Sequence, residues 1–138
     1  MFQQDYLMRL IWQFVEGIRR SFDRGIRDPQ DAADSLEDAL SQALDIDAGV
    51  VLGLAPESFA SVLSVSGTDP HIVEYVVRSL ALEAHFLEQA GRADMANLRF
   101  EQGRALAAAY GIEPPAPGEI PCEADFDAML AADGIEGD

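Results

Sequence analysis

The chain has 138 residues, with 49% hydrophobic and 25% charged side chains and a net charge of −16. That length suits one domain with a core of its own, and the apolar content excludes a disordered chain. A single cysteine, Cys122, excludes an internal disulfide scaffold, and the negative charge argues against nucleic acid as the main partner, whose phosphates need a cationic surface.

The charge is unevenly spread and contains no lysine. Residues 1–27 carry +2, residues 28–69 carry −9, residues 70–104 carry −1 and residues 105–138 carry −8. The first segment is thus weakly basic within an acidic chain. Its apolar run, Tyr6–Ile18, is broken by Arg9, Gln13 and Glu16, unlike the core of a signal peptide. No stretch reaches the roughly 20 apolar residues that span a bilayer, so a membrane is not expected and the cytoplasm is the expected compartment.

In chain order, Leu7, Ile11, Phe14, Val15, Ile18 and Phe22 recur at helical spacing and predict a first helix over about Gln4–Arg24. Met8, Leu10 and Trp12 extend its apolar surface beyond one face. Asp28-Pro29 starts a second helix with the stripe Ala33, Leu36, Leu40, Ala43 and Leu44: an Asp cap accepts a free N–H, and proline at the first position loses none. Ile46–Leu54, loosened by Gly49 and Gly53, is a short helix or an ordered turn. Pro56 opens a third helix carrying Phe59, Val62 and Leu63 and ending near Ser66-Gly67.

Asp69-Pro70 repeats the start signal. The fourth helix runs to Ala90, with Val73, Val76, Val77, Leu80, Ala84 and Leu87 as its buried stripe and Gly91 at its end. The fifth helix, Ala93–Tyr110, follows two adjacent rows. One is Ala96, Phe100, Gly103, Ala107 and Tyr110; the other is Met95, Leu98, Ala105, Leu106 and Ala109. Glu113–Pro121, with four prolines, reads as a linker or an extended strap. Phe126, Met129 and Leu130 then give a short amphipathic element. The expectation is an all-α domain over residues 1–112, with about five main antiparallel helices joined by short connections. A Pro-rich acidic tail follows over 113–138, with a short helix at about 123–132.

Leu80, Ala84 and Leu87, followed by Gly91, Ala96, Phe100 and Gly103, resemble a tetratricopeptide-type hairpin over about 34 residues. The usual Trp, Gly and Tyr of its first helix are missing, and Gly103 stands where alanine is usual. The opening, with Asp5, Tyr6, Arg9 and Ile11, is similar to the Asp-Tyr-x-x-Arg-x-Ile start of a family of small bacterial proteins of unknown function. Those proteins join such a helix to tetratricopeptide-like hairpins. The resemblance implies that fold and a bacterial cytoplasmic setting, and it brings no activity.

Enzymatic chemistry finds little support in the residues. Cys122 has no basic neighbour to lower its pKa, and there is no Gly-x-Ser-x-Gly elbow, no Gly-rich phosphate loop and no lysine. Asp45-x-Asp47-x-Gly49 fails as a calcium loop, since its fifth position is Gly49 and its twelfth is Pro56, and it reads better as the end of a helix. His85-x-x-Glu88 offers a metal only two ligands, one turn apart, so neither a metal nor another cofactor is expected, and a metal-dependent enzyme is the third and weakest alternative.

What remains is surface recognition. Arg78, His85, Glu88 and Gln89 fall where the first helix of a tetratricopeptide-like hairpin lines a concave groove. The leading expectation is therefore a non-catalytic module that binds a partner peptide or helix. Arg78 would anchor an acidic group, and the other three would read polar ones. Trp12 and Phe14 mark an apolar contact, and the alternative is a homo-oligomer that self-associates through the first helix. If Phe126, Met129 and Leu130 fold back into the groove, the tail becomes an internal inhibitor.

Overall fold

A computed structural model describes residues 2–135, with side chains from Tyr6 onward, so Asp5 of the opening motif lies outside the described side chains. Among the described residues, seven helices account for the regular structure: α1 (Phe2–Gly25), α2 (Pro29–Leu44), α3 (Ala48–Val51), α4 (Pro56–Val65), α5 (Pro70–Gln89), α6 (Ala93–Tyr110) and α7 (Glu123–Ala132). There is no strand among the described residues, and no helix is long and apolar enough to cross a membrane.

Local chemistry sets the helix ends. Asp28 accepts from the backbone N–H of Gln30 (3.0 Å) and Asp31 (3.3 Å), and Asp69 accepts from that of His71 (2.8 Å). Pro29 and Pro70 follow these caps at the first helical turn. Gly91 and Gly111, with φ of +79° and +67°, turn the chain at the ends of α5 and α6, where a Cβ would be strained. The acidic stretch that fails as a calcium loop supplies caps instead. Asp45 ends α2 in the left-handed conformation, and Asp47 accepts from Gly49 N–H to start the single turn of α3.

Packing then orders the helices. α5 lies along α6 and α1 along α2 in the two largest contacts; α2 joins the pairs by packing on α5, and α4 covers α6. Small residues permit the close approaches. A methyl group placed on Gly17 of α1 would sit 2.6 Å from the Ala39 Cβ of α2, and one on Gly103 of α6 would sit 3.5 Å from the Leu80 Cβ of α5. Around these contacts Ile11, Phe14, Ile18, Leu36, Leu40, Phe59, Leu63, Ile72, Val76, Leu80 and Leu106 are buried. Each such burial contributes about 1.5–3 kcal/mol against the entropy of ordering the chain. At the far end of α6 the Tyr110 hydroxyl donates to the carbonyls of Thr68 (2.9 Å) and Leu63 (3.3 Å), tying down the α4–α5 connection. Of the apolar residues that α4 carries, Phe59 and Leu63 are buried with Ala60, while Val62 is 38% exposed.

Residues 113–121 form a strap with Pro115 and Pro121 buried, and α7 packs onto α1. Phe126 is fully buried. Its ring lies edge-on to Phe22 of α1, with centroids 6.4 Å apart, and Phe22 in turn meets Phe86 of α5 edge-on at 6.4 Å.

Candidate functional site

The outer side of α5 carries the expected recognition residues, and the structure divides them. His85 and Glu88 border a groove of about 600 Å³ between α5, α6 and the strap residues Pro117–Ile120. Its floor is small and apolar, with Ala84, Ala96 and the half-buried Phe100. Its rim is mostly acidic: Glu88, Glu101 and Glu119 face a single cation, Arg104, whose guanidinium is 3.6 Å from Glu101.

Arg78 lies outside that groove. It lines a smaller cleft of about 300 Å³ with Glu74 and Glu113, and its charge helps to hold the Asp125 carboxyl below its usual value. The larger cause at Asp125 is the Cys122 backbone N–H, which donates to it at 2.8 Å. Arg78 thus has acidic neighbours within its own chain. Gln89 is exposed at the last position of α5 and borders neither cleft.

The α1 residues divide as well. Phe14 is 2% exposed and belongs to the core. Trp12 is half-buried in a cleft with Asp127 and Leu130 of α7, and the Arg19 guanidinium stands 5.0 Å from the centre of its ring. Arg19 also pairs with Glu16, with Asp127 at 2.6 Å and with Glu123 at 3.9 Å. The hydrogen bond that Arg19 donates to Asp127 is the main cause that raises the Arg19 pKa.

Beneath this surface lies a polar cluster that the sequence reading leaves out. Glu83 of α5, Arg99 and Gln102 of α6 are buried, and Glu37 of α2 reaches them from the edge. Arg99 Nε donates to Glu83 at 2.8 Å. Its terminal nitrogens donate to Glu37 (3.2 Å), the Leu52 carbonyl (2.9 Å) and Gln102 (3.3 Å). The Gln102 amide donates to the carbonyls of Leu52 (2.9 Å) and Leu54 (2.8 Å). One guanidinium therefore serves two carboxylates. Burial pushes the Glu83 carboxyl well above the usual range, a hydrogen bond with Glu37 pushes it further, and Arg99 opposes both.

This cluster ties α2, α5 and α6 to the segment after α3 and lines neither the α5–α6 groove nor the Arg78 cleft. A signal for it was present in the sequence. Glu83 stands in the buried row Leu80–Leu87, and Arg99 and Gln102 interrupt the apolar side of the next helix, so two consecutive helices carry charge where apolar residues belong.

Among the described residues, no buried side-chain polar atom lacks a hydrogen-bond partner, and no cluster of three or more His, Cys, Asp and Glu side chains is arranged to hold a metal ion. No family model, curated protein or solved structure was found to match this chain.

Proposed function

We propose that the chain is a non-catalytic protein-interaction module of the bacterial cytoplasm whose α5–α6 groove holds a short cationic peptide. In this reading α1–α2 and α5–α6 are two tetratricopeptide-like hairpins, with α4 closing the array. The order of packing supports that arrangement, since each pair is adjacent in sequence and α2 bridges the two.

The observation that carries the reading is the composition of the groove. Its rim sets three carboxylates against one arginine above a floor of small apolar side chains beside Phe100. A lysine or arginine side chain can satisfy such a rim, and an adjacent apolar residue can rest on Ala84, Ala96 and Phe100. The strap supports the same reading, because it is a non-helical segment already lying against this side of the molecule. His85, Glu88 and Glu119 are the recognition residues in this assignment. Arg78, with acidic neighbours of its own, has no part in it.

The test is selection of a random peptide library on the full-length protein, followed by affinity measurement against Glu88→Lys/Glu119→Lys, which reverses the rim at two exposed positions. The reading expects enriched peptides to carry Lys or Arg beside an apolar residue and to lose about tenfold or more in affinity to the variant, about 1.4 kcal/mol. Enrichment without cationic residues, or equal affinity for the variant, would sink it.

A further inference from the structure

The α5–α6 groove contains one side chain of a type that changes charge near neutral pH. His85, half-buried on α5, lines it with Glu88 of the same helix, Asn97, Glu101 and Arg104 of α6, and Glu119 of the strap. Carboxylates as a class titrate below about pH 5 and guanidinium groups far above neutrality, whereas imidazole changes charge between about pH 5 and 8. A mild change of pH therefore acts on this groove through its histidine.

The surroundings of the ring suit that role. Among the described residues, no hydrogen bond or ion pair engages His85, whereas His71, in the first turn of α5, has its Nδ1 3.1 Å from Asp69 and lines a different cleft. The His85 ring rests against Phe86, with centroids 5.8 Å apart, and Phe86 is buried and meets Phe22 of α1. The core thus holds the imidazole at the wall of the groove. Glu83, two residues earlier on α5 and raised by burial, faces Arg99 and Glu37 instead and does not line the groove.

The charge count gives the direction of the effect. With His85 neutral, three carboxylates and one guanidinium leave the rim at −2. A proton on His85 halves this to −1. Glu88 stands three residues along the same helix, one turn away, where an imidazolium can pair with it. The same imidazolium repels the lysine or arginine of a bound peptide.

We propose that His85 gates the groove, releasing a cationic peptide when its imidazole takes up a proton. The inference rests on the peptide reading above and adds the regulation of that site. Binding and protonation are then linked: the proton weakens the peptide by the same factor by which the peptide weakens the proton. One unit charge within a partly solvated groove is expected to change the affinity about fivefold.

The experiment uses the full-length protein and the tightest cationic peptide from the library selection, taken without histidine and with blocked ends, so that only the protein titrates. Affinity is measured at about pH 8 and about pH 5.5 at one ionic strength, across the range in which imidazole takes up its proton. Binding is expected to be about fivefold weaker at the lower pH. Proton NMR of the wild-type His85 ring, which needs no variant, should show its titration midpoint displaced downward by about 0.7 pH unit when peptide saturates the groove. His85→Gln has no titrating ring, so the ratio of its two affinities falls to about one, whatever its affinity at either pH. His71→Gln keeps the wild-type ratio. Equal wild-type affinities at the two pH values overturn the gate. So does a ratio that His85→Gln preserves, which assigns the effect to another group such as Glu83, or one that His71→Gln abolishes. A selection that yields no cationic peptide fails the peptide reading itself, before any pH is varied, and the gate falls with it.

Discussion

Replacing Arg99 by methionine should be among the most destabilising single changes in this protein. Arg99 is 3% exposed and donates to Glu83, Glu37, Gln102 and the Leu52 carbonyl. Methionine fills much of the volume and supplies none of these bonds. Glu83 would lose its cation and keep Glu37 as its neighbour, so it must either hold an unpaired charge in the interior or take up a proton. Removing one partner of a buried ion pair costs about 3–5 kcal/mol, a large share of the roughly 5–15 kcal/mol that holds a domain together. The Leu52 carbonyl keeps the Gln102 amide as a donor, so that part of the loss is small. Urea denaturation followed by helical circular dichroism measures the difference.

Two further variants separate the causes. Glu83→Leu/Arg99→Met removes both charges and should recover most of the loss, because the single variant suffers chiefly from an unpaired carboxylate. Glu83→Gln keeps the acceptor for Arg99 and adds a donor for Glu37. Burial raises the Glu83 carboxyl well above the usual glutamate range, so the folded state binds its proton more tightly than the unfolded state does. Its contribution is then fully present below the unfolded pKa and is lost as pH rises through the folded one. Glu83→Gln should therefore gain stability relative to the wild type as pH is raised above the unfolded glutamate range. A cost under about 1 kcal/mol for Arg99→Met, or a double variant as unstable as the single one, would refute the reasoning.

Two glycines in helix interiors should respond oppositely to alanine. At Gly17 the new methyl meets the Ala39 Cβ at 2.6 Å, so overpacking of about 1–3 kcal/mol outweighs the roughly 1 kcal/mol of helix propensity, and the melting temperature falls. At Gly103 the nearest atoms stand at 3.5 Å, an ordinary contact, so propensity prevails and the melting temperature rises. Tyr110→Phe leaves the ring but removes the donor to Thr68 and Leu63, and should cost about 1 kcal/mol in the same denaturation assay. Acid should loosen α7. The Asp125 carboxyl is lowered by the Cys122 backbone N–H, so its contribution is present above its unfolded pKa of about 4 and is lost as pH falls through the lower folded one. Trp12, the single tryptophan, borders α7 and reports the change as a red shift of its fluorescence. Asp125→Ala should show part of that shift already at neutral pH, and an unshifted spectrum would count against the capping role.

Much of the fold was legible because helix formation is local. The fifth expected helix, Ala93–Tyr110, coincides with α6, and the fourth, Pro70–Ala90, with α5 to within one residue. In both, the start or end is written in neighbouring side chains: an Asp-Pro cap ahead of α5, and a glycine beyond each of α5 and α6. The recognition residues were harder to read. His85 and Glu88 reach one groove, while Arg78, two turns earlier on the same helix, is met by acidic residues of the strap and α7 that are distant in sequence. Phe14 and Trp12 have the same apolar character on paper, yet one is in the core and the other is shared among Arg19, Asp127 and Leu130.

The sequence by itself determined an all-helical chain and where most of its helices begin and end, because capping, glycine conformation and apolar periodicity act over a few residues. Only the tertiary structure decided which charges go inside. Whether Glu83 and Arg99 face water or one another depends on how α5 and α6 are rotated together, and on Glu37 arriving from a helix far away in the chain. It also decided that residues 113–135 lie against the body, since Phe126 finds its place only where Phe22 of α1 has already met Phe86 of α5. Such contacts join segments that no local spacing relates, and their energy comes from burying surface that is hidden only after the helices have packed.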